Sequence, residues 1–187
     1  MAATHHLLHA GYVRDDGVAG SVSLVIDGEA VIVVDPGMVA DRALILDPLR
    51  EHGFGPEQVT HVAITHHHPD HTVNVGLFPK AEVVDFWARY RGDQWLDHEG
   101  DGHRLGEDTR LILTPGHTNE DATLLVETDA GVVACTHAWW HADRTPEVDP
   151  LADDQHALEA SRRRILAEAD IVVPGHGEPF ATGRRSA

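Results

Sequence analysis

The segment His66-His67-His68-Pro69-Asp70-His71 constrains this chain more than any other feature, because it places four imidazoles and a carboxylate within six residues. So dense a histidine cluster has few uses besides binding metal. Later apolar runs also end in histidines, in Pro115-Gly116-His117 and in Pro174-Gly175-His176. Three separate loops of similar design predict one preorganised metal site rather than an adhesive surface patch.

The spacing inside the cluster predicts how its side chains are shared between ions. Side chains two apart on an extended segment point the same way, so His66 and His68 are predicted to bind one ion while His67 points away. The proline that follows keeps His68 extended and then turns the chain. This turn leaves Asp70 and His71 free to face a neighbouring ion. Imidazoles with a carboxylate suit zinc, manganese or iron better than calcium or magnesium.

Composition limits the class of protein. A chain of 187 residues fits a single domain, 1–187, whose core is expected at about 20–180. Its 14 Lys and Arg against 31 Asp and Glu give a net charge of −17, which disfavours binding to long nucleic acid. The N-terminal segment does not resemble a secretory signal, and no apolar run has the length of a membrane span. A cytoplasmic protein without a membrane partner is therefore expected.

The apolar pattern predicts short strands in hairpins, separated by a few helices. The strands are expected at residues 22–26, 30–34, 60–65, 82–86, 110–113, 122–127, 132–135 and 171–173. Helical periodicity covers residues 39–52, where Pro48 interrupts it, and residues 153–169. Ligands repeatedly follow a strand, which predicts a site along one edge of the sheets.

Three further regions have simpler predictions. Residues 88–108 are polar and rich in turn formers, so they are predicted to form a surface loop. The N-terminal histidines, His5, His6 and His9, are predicted to be solvated. Cys135 is the only cysteine, which excludes an internal disulfide and a cysteine-rich zinc site, and it is predicted to pack within a strand.

The cluster resembles the His-x-His-x-Asp-His motif of the metallo-β-lactamase superfamily. The next histidine of that family matches His117, its last matches His176, and its early aspartate, which braces the metal loop, matches Asp35. The resemblance runs from about residue 20 to residue 180. It implies an α/β fold, an αββα sandwich with the metal site at one edge of the sheets.

Within the superfamily, several segments resemble the subgroup of the metallo-β-lactamase domain-containing protein 1 type. They are residues 74–79, residues 115–117, Asp121 in place of the second histidine of glyoxalase II, residues 162–166 and residues 169–180. The resemblance implies a metal-dependent hydrolase that uses a metal-bound hydroxide on a small-molecule substrate. An ester, a lactone, a thioester and a phosphodiester all stay open as that substrate.

The resemblance also implies a role for each ligand. His66, His68 and His117 would bind one ion, and a second ion would contact the remaining ligands, which are Asp70, His71, His176 and His137. The cofactor is expected to be zinc, one ion or two, with manganese or iron as alternatives. Asp70 is the expected catalytic residue, which orients the hydroxide and passes a proton to the leaving group.

His137 departs from the family pattern. The hairpin strand after Gly131 usually ends in Gly-Asp, and that aspartate bridges two metals, whereas here it ends in Cys135-Thr136-His137. A neutral imidazole has one free lone pair and normally binds a single ion. His137 would then complete the second site, leave the second ion weak or absent, or pack away from the metal. A non-catalytic or impaired metal-binding homologue is therefore an alternative function. A mononuclear iron oxygenase is disfavoured, because its site uses the missing aspartate.

Trp139 and His141 follow His137 at alternating positions. If the chain stays extended, their side chains share its face and line the substrate pocket. The alternative is that Trp139 and Trp140 are packing or interface residues. Many proteins of this fold dimerise, so a homodimer is a further expectation.

Overall fold

The computed structural model describes residues 2–184, which form two facing β-sheets with helices outside them. Seven strands form the first sheet, in the spatial order β1 (Thr4–His9), β4 (Val22–Asp27), β5 (Ala30–Val34), β6 (His61–Ala63), β7 (Glu82–Val84), β8 (Arg89–Arg91) and β9 (Gln94–Leu96). Six strands form the second sheet, namely β10 (His103–Arg104), β11 (Thr109–Leu113), β12 (Ala122–Thr128), β13 (Gly131–Cys135), β14 (Ile171–Val173) and β15 (Phe180–Ala181). A separate two-stranded hairpin consists of β2 (Tyr12–Arg14) and β3 (Gly17–Ala19).

Three α-helices complete the described chain: α1 (Ala43–Glu51), α2 (Pro69–Thr72) and α3 (Gln155–Glu168). The carboxylate of Asp154 caps α3 by accepting hydrogen bonds from the backbone N–H groups of His156 and Ala157. Two short 3₁₀ turns lie at Pro56–Gln58 and Val75–Leu77. No helix within residues 2–184 is both long and apolar enough to cross a membrane.

Apolar side chains fill three layers, which confirms the predicted αββα sandwich. Residues such as Ile32 and Leu124 pack between the two sheets. The outer face of the first sheet packs against Leu49 of α1, and the outer face of the second packs against Ile165 of α3. Cys135 is buried between the sheets, as predicted, and burial raises the pKa of its thiol to about 12.

The strands pair in the way that the apolar pattern predicts. β4 and β5 form a hairpin that closes at the pair Asp27 and Ala30, and β12 and β13 close at Thr128 and Gly131. Pro48 lies inside α1 without ending it. β5, β6 and β7 are parallel, as are β13 and β14. Their C-terminal ends therefore meet along one edge of the sandwich, where the histidine loops begin.

The prediction of a surface loop over residues 88–108 is wrong. This segment contributes β8 and β9 to the first sheet and β10 to the second. Ion pairs hold the added strands, because the buried carboxylate of Glu82 on β7 contacts Arg89 at 3.2 Å and Arg91 at 2.7 Å. Tyr90 also packs edge-on against Trp95, with 4.8 Å between ring centroids. These cross-strand contacts compensate for a sequence that lacks an apolar run.

The N-terminal segment is also more ordered than predicted. β1 pairs antiparallel with β4, so the first sheet begins well before residue 20. Nε2 of His5 lies 2.9 Å from Oγ of Ser23, and burial lowers the pKa of His5 to about 4. His6 stacks against His52 with 4.0 Å between ring centroids. His5 and His6 are therefore packed against neighbours rather than freely solvated.

Gly37 packs the loop after β5 against the predicted metal loop. The carbonyl oxygen of Asp70 accepts hydrogen bonds from the N–H groups of Gly20 and Met38 at 3.0 Å and 3.1 Å. A Cβ at Gly37 would overlap that carbonyl group. Only a glycine fits here, and this close approach fixes the distance between the loop after β5 and the loop that carries Asp70.

Gly37→Ala is expected to lower the free energy of unfolding by about 3 kcal/mol, because the added methyl group meets backbone atoms rather than a movable side chain. Gly76→Ala is the matched control, since a Cβ there has no heavy atom within 4 Å. Chemical denaturation measures both variants. Equal free energies of unfolding would contradict the close packing of Gly37.

Candidate metal centre

Four loops bring the predicted ligands to one edge of the sandwich. His66 and His68 follow β6, and α2 then carries Asp70 and His71. The other three ligands follow the ends of β11, β13 and β14, and they are His117, His137 and His176. Five of the seven side chains are buried, while His68 and Asp70 are part-exposed. The structure therefore brings together all seven residues that the sequence nominates as ligands.

The first set of ligands is a compact triad of nitrogen atoms. Nδ1 of His68 lies 3.1 Å from Nε2 of His66 and 3.2 Å from Nε2 of His117. The ring planes of His66 and His117 are nearly perpendicular, with centroids 5.1 Å apart. Three ring nitrogens from two different loops thus converge on one point, as a tetrahedral metal ion with an open fourth position requires.

A second set surrounds Asp70. Its Oδ2 atom lies 3.4 Å from Nε2 of His71 and 3.7 Å from Nε2 of His176. Nε2 of His176 lies 3.3 Å from Nε2 of His137. His137 belongs to two groups in which the ligand atoms lie within 4.8 Å of one another. One group contains His66 and His117, and the other contains His71 and His176. Its imidazole therefore sits where the two sets meet.

Hydrogen bonds orient the rings of three of these histidines. Nδ1 of His176 donates to the backbone oxygen of Ala19 at 2.8 Å, because a carbonyl can only accept. Nδ1 of His117 lies 2.7 Å from Oδ2 of Asp149, and the same nitrogen of His71 lies 2.9 Å from Oδ2 of Asp35. Each bond commits Nδ1 to an oxygen and turns Nε2 toward the centre.

The protonation states also suit metal binding. Burial, followed by the repulsion of neighbouring imidazoles, holds the pKa values of His66 and His137 well below the usual value for histidine. Burial likewise lowers the pKa of His176 to about 4. These side chains are neutral at pH 7, which is the form of imidazole that binds a metal.

Asp70 and His71 respond to each other's charge. Burial raises the pKa of Asp70, but hydrogen bonding and charge interactions with His71 outweigh it and lower that pKa to about 2. Burial lowers the pKa of His71, but the carboxylates of Asp35 and Asp70 outweigh it and raise that pKa to about 9. The centre therefore attracts positive charge on this side.

The residues present fit a bound cation. Nδ1 of His137 is buried and has no hydrogen-bond partner within residues 2–184. A buried polar atom without a partner costs free energy. Several neutral nitrogens with inward lone pairs repel one another, and a divalent metal converts that repulsion into ligation.

A model of the metallo-β-lactamase superfamily matches residues 15–176. The chain belongs to the metallo-β-lactamase superfamily. Metallo-β-lactamase domain-containing protein 1 of Xenopus laevis is 36% identical over 187 aligned residues, which cover 94% of this chain and 80% of that protein. The human protein of that name is 38% identical, and the match covers 83% of this chain and 61% of the human protein. The predicted resemblance to this subgroup is confirmed, although the chain matches less than two thirds of the human protein.

Solved structures support the same superfamily fold. An N-acyl homoserine lactone hydrolase, determined with the product N-hexanoyl-L-homoserine at its catalytic metal centre, superposes with a TM-score of 0.67. The superposition covers 94% of this chain and 92% of the hydrolase, at 18% sequence identity. At this identity, the likeness extends to the metallo-β-lactamase fold alone.

The metallo-β-lactamase centre forms the floor of a cavity of about 210 Å³. Trp139, which the sequence nominates for the pocket, does not line it: the side chain is 3% exposed and packs edge-on against Phe180 in the core. His141 does not line it either, although its ring lies 6.2 Å from that of His176. The neighbouring Trp140 takes the pocket position instead. The chain leaves the extended conformation after Cys135, so the assumed alternation is lost.

Asp149 is a functional candidate that sequence reasoning missed. Its Oδ2 atom accepts the indole N–H of Trp140 at 2.9 Å as well as the imidazole N–H of His117, and its Oδ1 atom accepts the backbone N–H of Leu151 at 2.9 Å. Trp140 and Leu151 both line the cavity. One buried carboxylate thus orients a metal ligand and two pocket walls.

Asp149→Ala is expected to weaken zinc binding on the order of 10- to 100-fold, because His117 loses the acceptor that fixes its tautomer and ring angle. Competition with a chromophoric chelator measures the zinc dissociation constant. Asp153→Asn is the control, since this exposed side chain bonds Asn119 and not the centre. Unchanged zinc affinity in a folded Asp149→Ala protein would refute the orienting role.

Proposed function

We propose that this protein is a metal-dependent hydrolase with zinc as its cofactor. One observation carries the proposal: six imidazoles and one carboxylate from four loops converge on one centre, and four of those imidazoles and the carboxylate form the floor of a cavity. The family contains hydrolases with such centres, among them the lactone hydrolase described above. A small ester, lactone, thioester or phosphodiester is the proposed substrate range, and an intracellular small molecule rather than nucleic acid is the proposed partner.

The proposed ligands form two sets, one for each of two ions. His66, His68 and His117 would hold one ion, and the remaining ligands, namely Asp70, His71, His137 and His176, would hold a second. A bound divalent metal lowers the pKa of water toward neutrality and polarises the substrate oxygen. The imidazoles keep fixed orientations throughout, because Asp35, Asp149 and the backbone of Ala19 hold the Nδ1 atoms of three of them.

Asp70 is the proposed proton carrier. Within residues 2–184 it is the only carboxylate that lines the cavity, and its low pKa keeps it ionised at neutral pH. An ionised carboxylate orients an attacking water and accepts its proton, and the protonated form then donates to the leaving oxygen. Cys135 cannot take the place of that water as nucleophile, because its thiol is buried between the sheets and stays protonated.

His117→Ala is expected to remove most bound zinc and to reduce ester or lactone hydrolysis by at least about 100-fold, because one of three ligands of the first ion is lost. His67→Ala is a matched control from the same cluster. Its Nε2 contacts Asp85 at 3.1 Å, and its ring stacks on Trp87 rather than facing the centre.

Elemental analysis and initial rates with a short-chain lactone measure both variants. We expect parental zinc content and rate for His67→Ala. Purified parent protein with less than about one transition metal per chain would refute the metal-dependent proposal.

A non-catalytic metal-binding protein is the second candidate, and the position of His137 favours it. The family's aspartate at this place offers an oxygen to each of two ions, whereas a neutral imidazole offers one nitrogen. His137 contacts both ligand sets, yet it cannot serve both in the neutral form. The two candidates therefore differ in what a carboxylate at this position does.

His137→Asp tests between them. If the parent is a hydrolase built around an imidazole, the variant is expected to keep zinc and to lose rate by about tenfold or more, because the surrounding ligands are spaced for a larger ring. Zinc content and lactone hydrolysis are measured together. A variant that gains hydrolysis over an inactive zinc-loaded parent would establish the non-catalytic function.

A further inference from the structure

We propose that the cavity above the metal centre selects an uncharged ester or lactone with a short apolar acyl group, and that it rejects substrates carrying a second anionic group. This inference rests on the proposed hydrolase function and narrows its substrate range. Three observations carry it. The walls of the cavity are apolar, the arginine of the β2–β3 hairpin lies on the face turned away from the cavity, and the other nearby arginines are hydrogen-bonded to backbone oxygens.

The walls of the cavity are apolar above a polar floor. Four side chains form the walls: Val13, Val18, Trp140 and Leu151. The floor consists of His68, Asp70, His117, His137 and His176. The volume of about 210 Å³ is below the range typical of drug-sized ligands. An acyl group of a few carbon atoms fills such a space, while its carbonyl meets the floor.

The β2–β3 hairpin turns its apolar face to the cavity and its charged face away. Val13 and Val18 are directly paired across the two strands, so their side chains share one face. Arg14 is the next residue along the strand and therefore points to the opposite face. Its guanidinium lies 4.0 Å from the ring centroid of Tyr12, which is on that same outer face. The nearest arginine along the hairpin is thus held outside the cavity.

The arginines that flank the Trp140 wall are engaged elsewhere. The guanidinium of Arg162 donates to the backbone oxygens of Ala138, Pro146 and Glu147. Arg144 donates to the backbone oxygen of Thr182. No Lys or Arg of residues 2–184 lines the cavity.

These contacts determine whether a second anionic group of a substrate can bind in the cavity. A metal bound at the floor would polarise the oxygen of the reacting carbonyl, so it would not be free to pair with a second anionic group of the substrate. A second carboxylate or phosphate would lie against valine, leucine and tryptophan without a cation, beside Asp70 and within a chain of net charge −17. Burying an unpaired charge is costly. The same reasoning disfavours phosphodiesters of longer chains and thioesters of anionic carriers.

Two esters of nearly equal size test this selectivity in the zinc-loaded protein. The 4-nitrophenyl ester of butyric acid has an uncharged acyl group, and the 4-nitrophenyl hemiester of succinic acid ends in a carboxylate. We expect kcat/KM for the uncharged ester to be higher by at least about tenfold, because the hemiester would place an unpaired charge against apolar walls. Equal values, or a preference for the hemiester, would overturn the inference and leave the hydrolase function intact.

Two variants of the β2–β3 hairpin place a positive charge on its inner face or on its outer face. Val13→Arg places a guanidinium on the face that lines the cavity, and it is expected to shift the ratio of kcat/KM toward the hemiester by about tenfold. Gly17→Arg places the same group on the outer face, because Gly17 pairs with Arg14 across the hairpin, and it is expected to leave the ratio at the parental value. Circular dichroism and zinc content confirm that both proteins are folded. Equal shifts in the two variants would overturn the role of the inner face.

A binding measurement separates this inference from the hydrolase proposal. The probes are N-(4-nitrophenyl)butanamide and the same amide ending in a sulfonate, an anion that binds zinc weakly. The nitrophenyl group quenches tryptophan emission, and we expect quenching by the uncharged amide at concentrations at least tenfold lower, with the effect lost in Trp140→Phe.

If neither ester is hydrolysed but this binding preference holds, the hydrolase proposal fails and the selectivity stands. Equal binding of the two amides, or quenching that does not depend on Trp140, would overturn the selectivity itself.

Discussion

The carboxylate of Asp35 is the contact on which the rest of the centre depends. Its Oδ1 accepts the backbone N–H of Thr65, and its Oδ2 accepts the hydroxyl of Thr65 and lies 2.9 Å from Nδ1 of His71. The residue has a positive φ of 49°, a conformation that aspartate tolerates better than most side chains. One buried group therefore joins the end of β5, the start of the ligand loop and the helix that follows it.

Asp35 fixes both ends of the loop that carries His66 to His71. The remaining predicted ligands lie just after the ends of strands. The parallel strands of the two sheets finish along the same edge, and tight glycine contacts hold the loops at their separations. A Cβ on Gly175 would overlap the ring of His137, for example. Hydrogen bonds from Asp149 and from the backbone of Ala19 then orient the rings of His117 and His176. The positions of the ligands come from the backbone, and their ring angles come from oxygen acceptors behind them.

The parts of this arrangement that are local in sequence were predictable. His66, His68, Asp70 and His71 lie within six residues, and His117 and His176 each follow a recognisable strand and a Pro-Gly pair. The family motif extended this local pattern to the αββα sandwich. Such features are readable because one short segment contains both the chemistry and the turn that presents it.

The parts that depend on distant contacts were not predictable. Asp149 lies 32 residues from His117 in a segment without regular structure, and nothing in the neighbouring sequence distinguishes it from the other aspartates of the chain. Trp140 rather than Trp139 lines the cavity because the chain bends after β13, where the backbone oxygens of the two tryptophans accept hydrogen bonds from Gly175 and His176. The strands within residues 88–108 depend on a buried glutamate whose partners are arginines. In each case a tertiary contact overrides the local pattern.

The β2–β3 hairpin forms a sheet of its own, paired with neither of the two large sheets. Its valines face the cavity, yet they belong to none of the three core clusters. Substitutions of these two valines therefore leave the packing of the sandwich and the ligand loops almost untouched. Natural variation at these two positions can change which molecules the cavity accepts while the proposed metal-binding floor stays constant. This separation lets the fold acquire new ligands without first becoming unstable.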